Sequence, residues 1–213
     1  MKCDKKYMLL YAVTDRSWVG AKTLYQQVEE ALRGGVTCVQ LREKDMSDDE
    51  FLQEAKEIHA LCQKYGVPFI VNDNVEIAVA CGAEGIHVGQ EDMEAGDVRR
   101  RVGDGVILGV SVHTVEEARD AVRNGADYLG LGAVFPTSTK TDVEQMTNET
   151  LRAICDAVNI PIVAIGGINS GNIEKLAGSG VDGVALVSAI FSAANIESTC
   201  QELRKLAEKM VNA

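Results

Sequence analysis

Eight short apolar runs punctuate the chain: Met8 to Thr14, Val36 to Leu41, Pro68 to Val71, Gly85 to Val88, Val106 to Val112, Ala126 to Leu131, Pro161 to Ile165 and Gly183 to Val187. Each has strand length, and the segments between them repeat apolar residues at a helical period. The clearest of these, Ser47 to Tyr65, sets Phe51, Leu52, Ala55, Ile58, Ala60, Leu61 and Cys62 against Glu50, Glu54, Glu57 and Lys64. That stripe predicts an amphipathic helix, with Ser47-Asp48-Asp49-Glu50 as its capping box. A weak internal repeat runs through the chain, in which four helices are expected to end in a glycine that leads into a buried strand: Gly35-Val36-Thr37, Gly82-Ala83-Glu84, Gly125-Ala126-Asp127 and Gly180-Val181-Asp182. Glycine supplies the left-handed turn that stops a helix.

Strands apolar on both faces and separated by helices imply a parallel sheet covered by helices. Eight such units favour a closed (β/α)₈ TIM barrel over an open doubly wound sheet. No Pro-, Gly- or Ser-rich linker divides the chain, so residues 1–213 are expected to form a single α/β domain. The longest irregular stretch, Ala133 to Gln145, follows the sixth strand.

Composition narrows the class of function. Hydrophobic residues make up 46% and charged residues 25% of 213 residues, with only 3 prolines, as in an ordinary globular domain. A formal net charge of −11 argues against nucleic acid or an anionic membrane surface as the main partner, so an anionic ligand must be held by a local cluster of donors. No run has the length of a membrane span and the start of the chain does not read as a signal peptide, which leads to the expectation of a cytoplasmic enzyme. The six cysteines are scattered among apolar neighbours without a Cys-x-x-Cys pair, as expected of buried or idle thiols.

In such a barrel the reacting groups sit at the carboxyl ends of the strands. Strand 2 ends in Gln40-Leu41-Arg42-Glu43-Lys44, and alternation aims Gln40 and Arg42 the same way while Leu41 faces the helices. Lys44 joins them if the strand continues. An amide and two cations at spacing two suit a diphosphate, for which Arg supplies a planar fork and Lys a point charge; the alternative is a solvated strand end. Asp73 and Asp92 follow strands 3 and 4, where two carboxylates fit one Mg²⁺, and helix N-caps are the alternative. Ser111 ends strand 5. Thr137, Ser138, Thr139 and Lys140 follow strand 6, where a solvated Ser/Thr loop is the plainer reading. Gly166-Gly167 and Val187-Ser188, after strands 7 and 8, occupy the usual phosphate-binding position of phosphate-using barrels. His59, on the helix after strand 2, reads as structural, and the strand-associated His87 and His113 read as packing or supporting residues because they lack zinc-site spacing.

Assembled in order, Gln40-x-Arg42-x-Lys44, Val71-Asn72-Asp73, His87-x-Gly89-Gln90-x-Asp92, Gly109-x-Ser111, Pro136-Thr137-x-Thr139-Lys140 and Gly166-Gly167-Ile168 resemble the motif set of the thiamin phosphate synthase family, from Tyr11 to about Phe191. The resemblance implies condensation of hydroxymethylpyrimidine diphosphate with hydroxyethylthiazole phosphate to thiamin phosphate and diphosphate. It also implies a dissociative path and a requirement for Mg²⁺. It assigns Asp73 and Asp92 to the metal, Arg42, Lys44 and Lys140 to the leaving diphosphate, and Gln40, Asn72 and Ser111 to the pyrimidine substrate, with Leu41 and Glu43 in the same segment. Thr137, Ser138, Thr139, Gly167, Val187 and Ser188 fall to the thiazole phosphate. A thiazole tautomerase and a non-catalytic phosphate-ligand sensor on the same scaffold are the competing readings; the sequence is compatible with a homo-oligomer.

Overall fold

The eight apolar runs all become strands of one sheet. A computed structural model of the protein describes residues 3–137 and 145–213. In chain order the elements are β1 (Leu10–Val13), α1 (Leu24–Arg33), β2 (Cys38–Leu41), α2 (Asp48–Tyr65), β3 (Phe69–Asn72), α3 (Val75–Cys81), β4 (Gly85–Val88), α4 (Ala95–Val102), β5 (Ile107–Val112), α5 (Val115–Arg123), β6 (Tyr128–Leu131), α6 (Asn148–Ala157), β7 (Ile162–Ile165), β8 (Gly183–Leu186), α7 (Ser188–Phe191) and α8 (Ile196–Val211). Each strand pairs in parallel with the next, and β8 returns to β1, which closes an eight-stranded barrel. The carboxyl ends of all the strands therefore lie at one rim.

Period-two alternation divides the side chains into two cores. Outward residues such as Leu41, Val71, Ile86, Leu108 and Leu129 pack against the helices. Inward residues, among them Tyr11, Val13, Cys38, Ile70, Ile107, Tyr128 and Val163, fill the barrel. Cys3 and Met8, each 1% exposed, belong to this inner cluster, so the segment before β1 plugs the amino end of the barrel. The capping box of α2 forms as its sequence requires: Ser47 accepts from the Glu50 N–H while the Glu50 carboxylate accepts from the Ser47 N–H.

The repeat is structural in origin. Gly35, Gly82, Gly125 and Gly180 all have φ between +72° and +95°. The residue two places after each glycine reaches back to the preceding strand and accepts one of its N–H groups: Thr37 from Leu10, Glu84 from Phe69, Asp127 from Leu108 and Asp182 from Ile162. The three carboxylates hold a second partner, His59, Arg99 and Lys5 respectively. Four clasps of one design thus join β1 to β2, β3 to β4, β5 to β6 and β7 to β8 at the amino rim.

The fourth copy departs from expectation in one respect. Gly180 ends no α-helix, because the crossover from β7 to β8 contains only a 3₁₀ turn at Ile173–Leu176. Gly171 and Gly178 bracket a run with only Ile173 and Leu176 buried, too short and too rich in glycine at its ends for a helix that needs several turns to be stable.

Candidate active site

The strand-2 segment is held from below by the end of β1. Thr14 N–H donates to the Gln40 carbonyl, and the Arg42 N–H donates to Thr14 Oγ1. The Arg42 guanidinium then meets Asp15 at 3.3 Å, with both side chains mostly buried. This holds the fork at the rim in one orientation. Glu43 points elsewhere: its carboxylate takes a two-pronged pair from Arg16, which also binds Glu54. Burial, together with the nearby Glu54 charge, holds Glu43 above the ordinary carboxylate range even though Arg16 offsets it. Leu41 is buried against the helices, as alternation requires. The strand does not continue to Lys44, which lies exposed in a bend and has no ion pair among the described residues.

Across the barrel, Gln40 and Ser111 are joined through its interior. Gln40 Nε2 donates to Tyr11 Oη at 2.9 Å; Tyr11 Oη meets Tyr128 Oη at 2.8 Å; Tyr128 Oη meets His87 Nδ1 at 2.8 Å; and His87 Nε2 meets Ser111 Oγ at 2.8 Å. Two strand glycines make room for the chain. A Cβ on Gly109 would lie 2.1 Å from Tyr128 Cζ, and one on Gly130 would lie 3.1 Å from His87 Cε1. Burial pushes both tyrosine hydroxyls well above the usual tyrosine range, so both stay protonated.

Asp73 and Asp92 sit beyond β3 and β4. Asp73 is the only non-glycine of positive φ among the described residues, at +62°, and its N–H donates to the His87 carbonyl. Left-handed backbone at a residue with a side chain is costly, and Asp is among the few that tolerate it. The helix-cap alternative does not hold for either residue. Asn74 caps α3, and Asp92 closes its own turn by accepting from the Gly89 N–H at 2.7 Å. Two carboxylates are the donor set expected for Mg²⁺, which takes one or two protein carboxylates and completes its shell with phosphate oxygens and water. No cluster of three or more His, Cys, Asp or Glu of metal-binding geometry occurs among the described residues. Asn72, half-buried, is in register with His87 on β4.

The residues expected to meet a phosphate follow β7 and β8. Gly167, at φ +65°, packs so tightly on the loop after β6 that a Cβ would fall 2.3 Å from the Pro136 carbonyl. Val187 ends the barrel interior and Ser188 opens α7, at the same rim as Arg42. Thr137, half-buried, is the last described residue of its loop; Ser138, Thr139 and Lys140 lie outside the described residues.

Against this geometry the comparisons with known proteins are decisive. The family model described as thiamine monophosphate synthase matches residues 10–190. A thiamine-phosphate synthase of Clostridium tetani is 51% identical over 194 residues, covering 91% of this chain and 93% of that protein. One of Ruminiclostridium cellulolyticum is 48% identical, covering 92% and 94%. The solved structure of thiamine phosphate pyrophosphorylase from Pyrococcus furiosus superposes with a TM-score of 0.90 at 39% identity, covering 97% and 98%. The chain belongs to the thiamine monophosphate synthase family.

Within that family frame, several polar residues of this site escape a reading of strand ends. Asp15 directly follows the run that forms β1, and the strand-end rule applied to the first strand as to the others finds it. Tyr11 and Tyr128 lie inside apolar runs and read as core, and only their hydroxyls, 117 positions apart, reveal a polar role. His87 bridges Tyr128 and Ser111, while His59 is stacked on Phe69 and held between the Cys81 carbonyl and Glu84. All six cysteines are free, and burial raises the thiols of Cys3, Cys62 and Cys200 to about 12. No described helix is long and apolar enough to cross a membrane.

Proposed function

We propose that the chain is a transferase that joins hydroxymethylpyrimidine diphosphate to hydroxyethylthiazole phosphate, releasing thiamin phosphate and diphosphate. The observation that carries this reading is the convergence of family membership with a rim at which Arg42, held by Asp15, and the carboxylates of Asp73 and Asp92 surround the mouth of one barrel.

The bond from the pyrimidine methylene to the diphosphate oxygen breaks, the electron pair leaves on the diphosphate, and the thiazole nitrogen then supplies the pair for the new carbon–nitrogen bond. This path needs stabilisation of a departing anion more than a general base. Arg42 offers its fork to the diphosphate, and Lys44 and Lys140 supply point charges. Asp73 and Asp92 would hold Mg²⁺, which when bound would neutralise diphosphate charge. Gln40, Asn72 and Ser111 orient the pyrimidine. Thr137, Ser138, Thr139, Gly167, Val187 and Ser188 receive the unreacting thiazole phosphate, so the two anions occupy separate pockets. The test is direct: incubate the protein with both substrates and Mg²⁺ and look for thiamin phosphate by mass. Its formation, abolished by EDTA, is expected; absence of product over many enzyme equivalents overturns the reading.

A further inference from the structure

The five-membered chain from Gln40 to Ser111 can order its protons in one direction. An amide nitrogen only donates, so Tyr11 Oη accepts from Gln40; between Tyr11 Oη and Tyr128 Oη either hydroxyl can donate, and the order taken in this proposal has Tyr11 donating to Tyr128. In that order Tyr128 donates to His87 Nδ1. A neutral imidazole that accepts at Nδ1 carries its proton on Nε2, and there it donates to Ser111 Oγ. Ser111 then has its hydroxyl proton free to turn toward a ligand. The linking groups are buried, with Tyr128 0%, Tyr11 1%, Gln40 5% and His87 9% exposed, which restricts their exchange with solvent. Two glycines in strand interiors, Gly109 and Gly130, are spent on accommodating it, which is more than a core needing only hydrophobic filling requires.

We propose that Tyr11, Tyr128 and His87 are positioning residues that fix Ser111 as a hydrogen-bond donor to the pyrimidine diphosphate and make that state depend on the orientation of the Gln40 amide at the opposite side of the mouth. This rests on the reading given under Proposed function. Reversing the Gln40 amide would reverse each link, put the histidine proton on Nδ1 and turn Ser111 into an acceptor. Gln40 and Ser111 are thereby set together, from strands that are not neighbours in the sheet.

Two measurements test this, one of them independent of catalysis. In uniformly ¹⁵N-labelled protein, two-bond ¹H–¹⁵N correlations report the tautomer of each of the 3 histidines, with His87 assigned by its loss in H87Q. The Nε2–H tautomer is expected; an Nδ1–H or doubly protonated ring overturns the proposal whatever the enzyme's substrate. The second is a kinetic cycle of Y11F, Y128F and the double variant. Each single change breaks the same chain while keeping the ring, and each should lower kcat about tenfold with KM for the pyrimidine diphosphate within about twofold. The double variant should be no slower than the worse single one. Losses that multiply would show two independent packing defects and overturn the relay. If wild-type protein makes no thiamin phosphate, the proposed function fails while the tautomer result still stands on its own.

Discussion

At the scale of single residues, the site separates groups chosen for charge from groups chosen for fit. Asp92 both closes its turn and supplies a carboxylate, and Asp92→Asn keeps an oxygen for the Gly89 N–H while removing the charge. Turnover should fall by about 10²-fold, with the Mg²⁺ concentration for half-maximal rate shifted upward; an unchanged metal titration would remove Asp92 from the metal site. Gly167 is a matter of fit. Gly167→Ala sets a Cβ against the Pro136 carbonyl in a backbone conformation that alanine resists, so KM for thiazole phosphate should rise several-fold with KM for the diphosphate substrate little changed, as steady-state runs varying each substrate will show. Much of this was legible in the sequence, because strand ends in a barrel are functional ground and Arg42, Asp73, Asp92, Ser111 and Ser188 stand there. Glu43 shows where legibility stops. Adjacent to Arg42 in sequence, it turns to Arg16, 27 positions away, and no local pattern distinguishes a carboxylate that faces substrate from one already taken by an arginine.

At the scale of elements, local signals carried most of the assignment. The capping box of α2 is written in four consecutive residues and forms as written, so Ser47→Ala should cost about 1 kcal/mol of stability in urea unfolding. The hydrogen bonds from Ser47 also depress the Glu50 carboxyl below its ordinary range. A depressed carboxyl contributes stability above its unfolded value and loses it as pH falls through its folded one. The gap between wild type and Ser47→Ala should therefore narrow in acid, and a gap that widens there would show that the capping box is not its source. The crossover after β7 was less readable. A glycine before a strand announced a helix end correctly three times, but at Gly180 it announces only a strand, since the same φ serves a loop equally well.

At the scale of the molecule, the two rims divide the labour. On the proposed function the chemistry belongs to the carboxyl rim, while the amino rim carries the clasps, so damage to a clasp should leave kinetics nearly intact. Asp127 accepts from the Leu108 N–H and pairs with Arg99 while mostly buried, and Asp127→Ala strands the Leu108 N–H and removes the counter-charge of Arg99, which keeps its bonds to the carbonyls of Gly103, Val106 and Gly125. A loss of about 2–3 kcal/mol in unfolding free energy is expected, with KM for both substrates unchanged in the folded fraction; a shifted KM would mean that the rims communicate. The barrel itself followed from eight apolar runs, whereas the clasps did not, because Thr37, Glu84, Asp127 and Asp182 look in sequence like ordinary polar residues at turn exits. Their arrangement gives the base a fourfold pseudo-symmetry that the mouth lacks: stepping by one two-strand unit maps clasp onto clasp, but maps Arg42 onto no second arginine at the next even strand. Sensitivity to mutation should inherit that contrast, so that in a scan of every position the residues governing abundance recur in sets of four around the base, while those governing turnover occur singly, as an asymmetric pair of substrates demands.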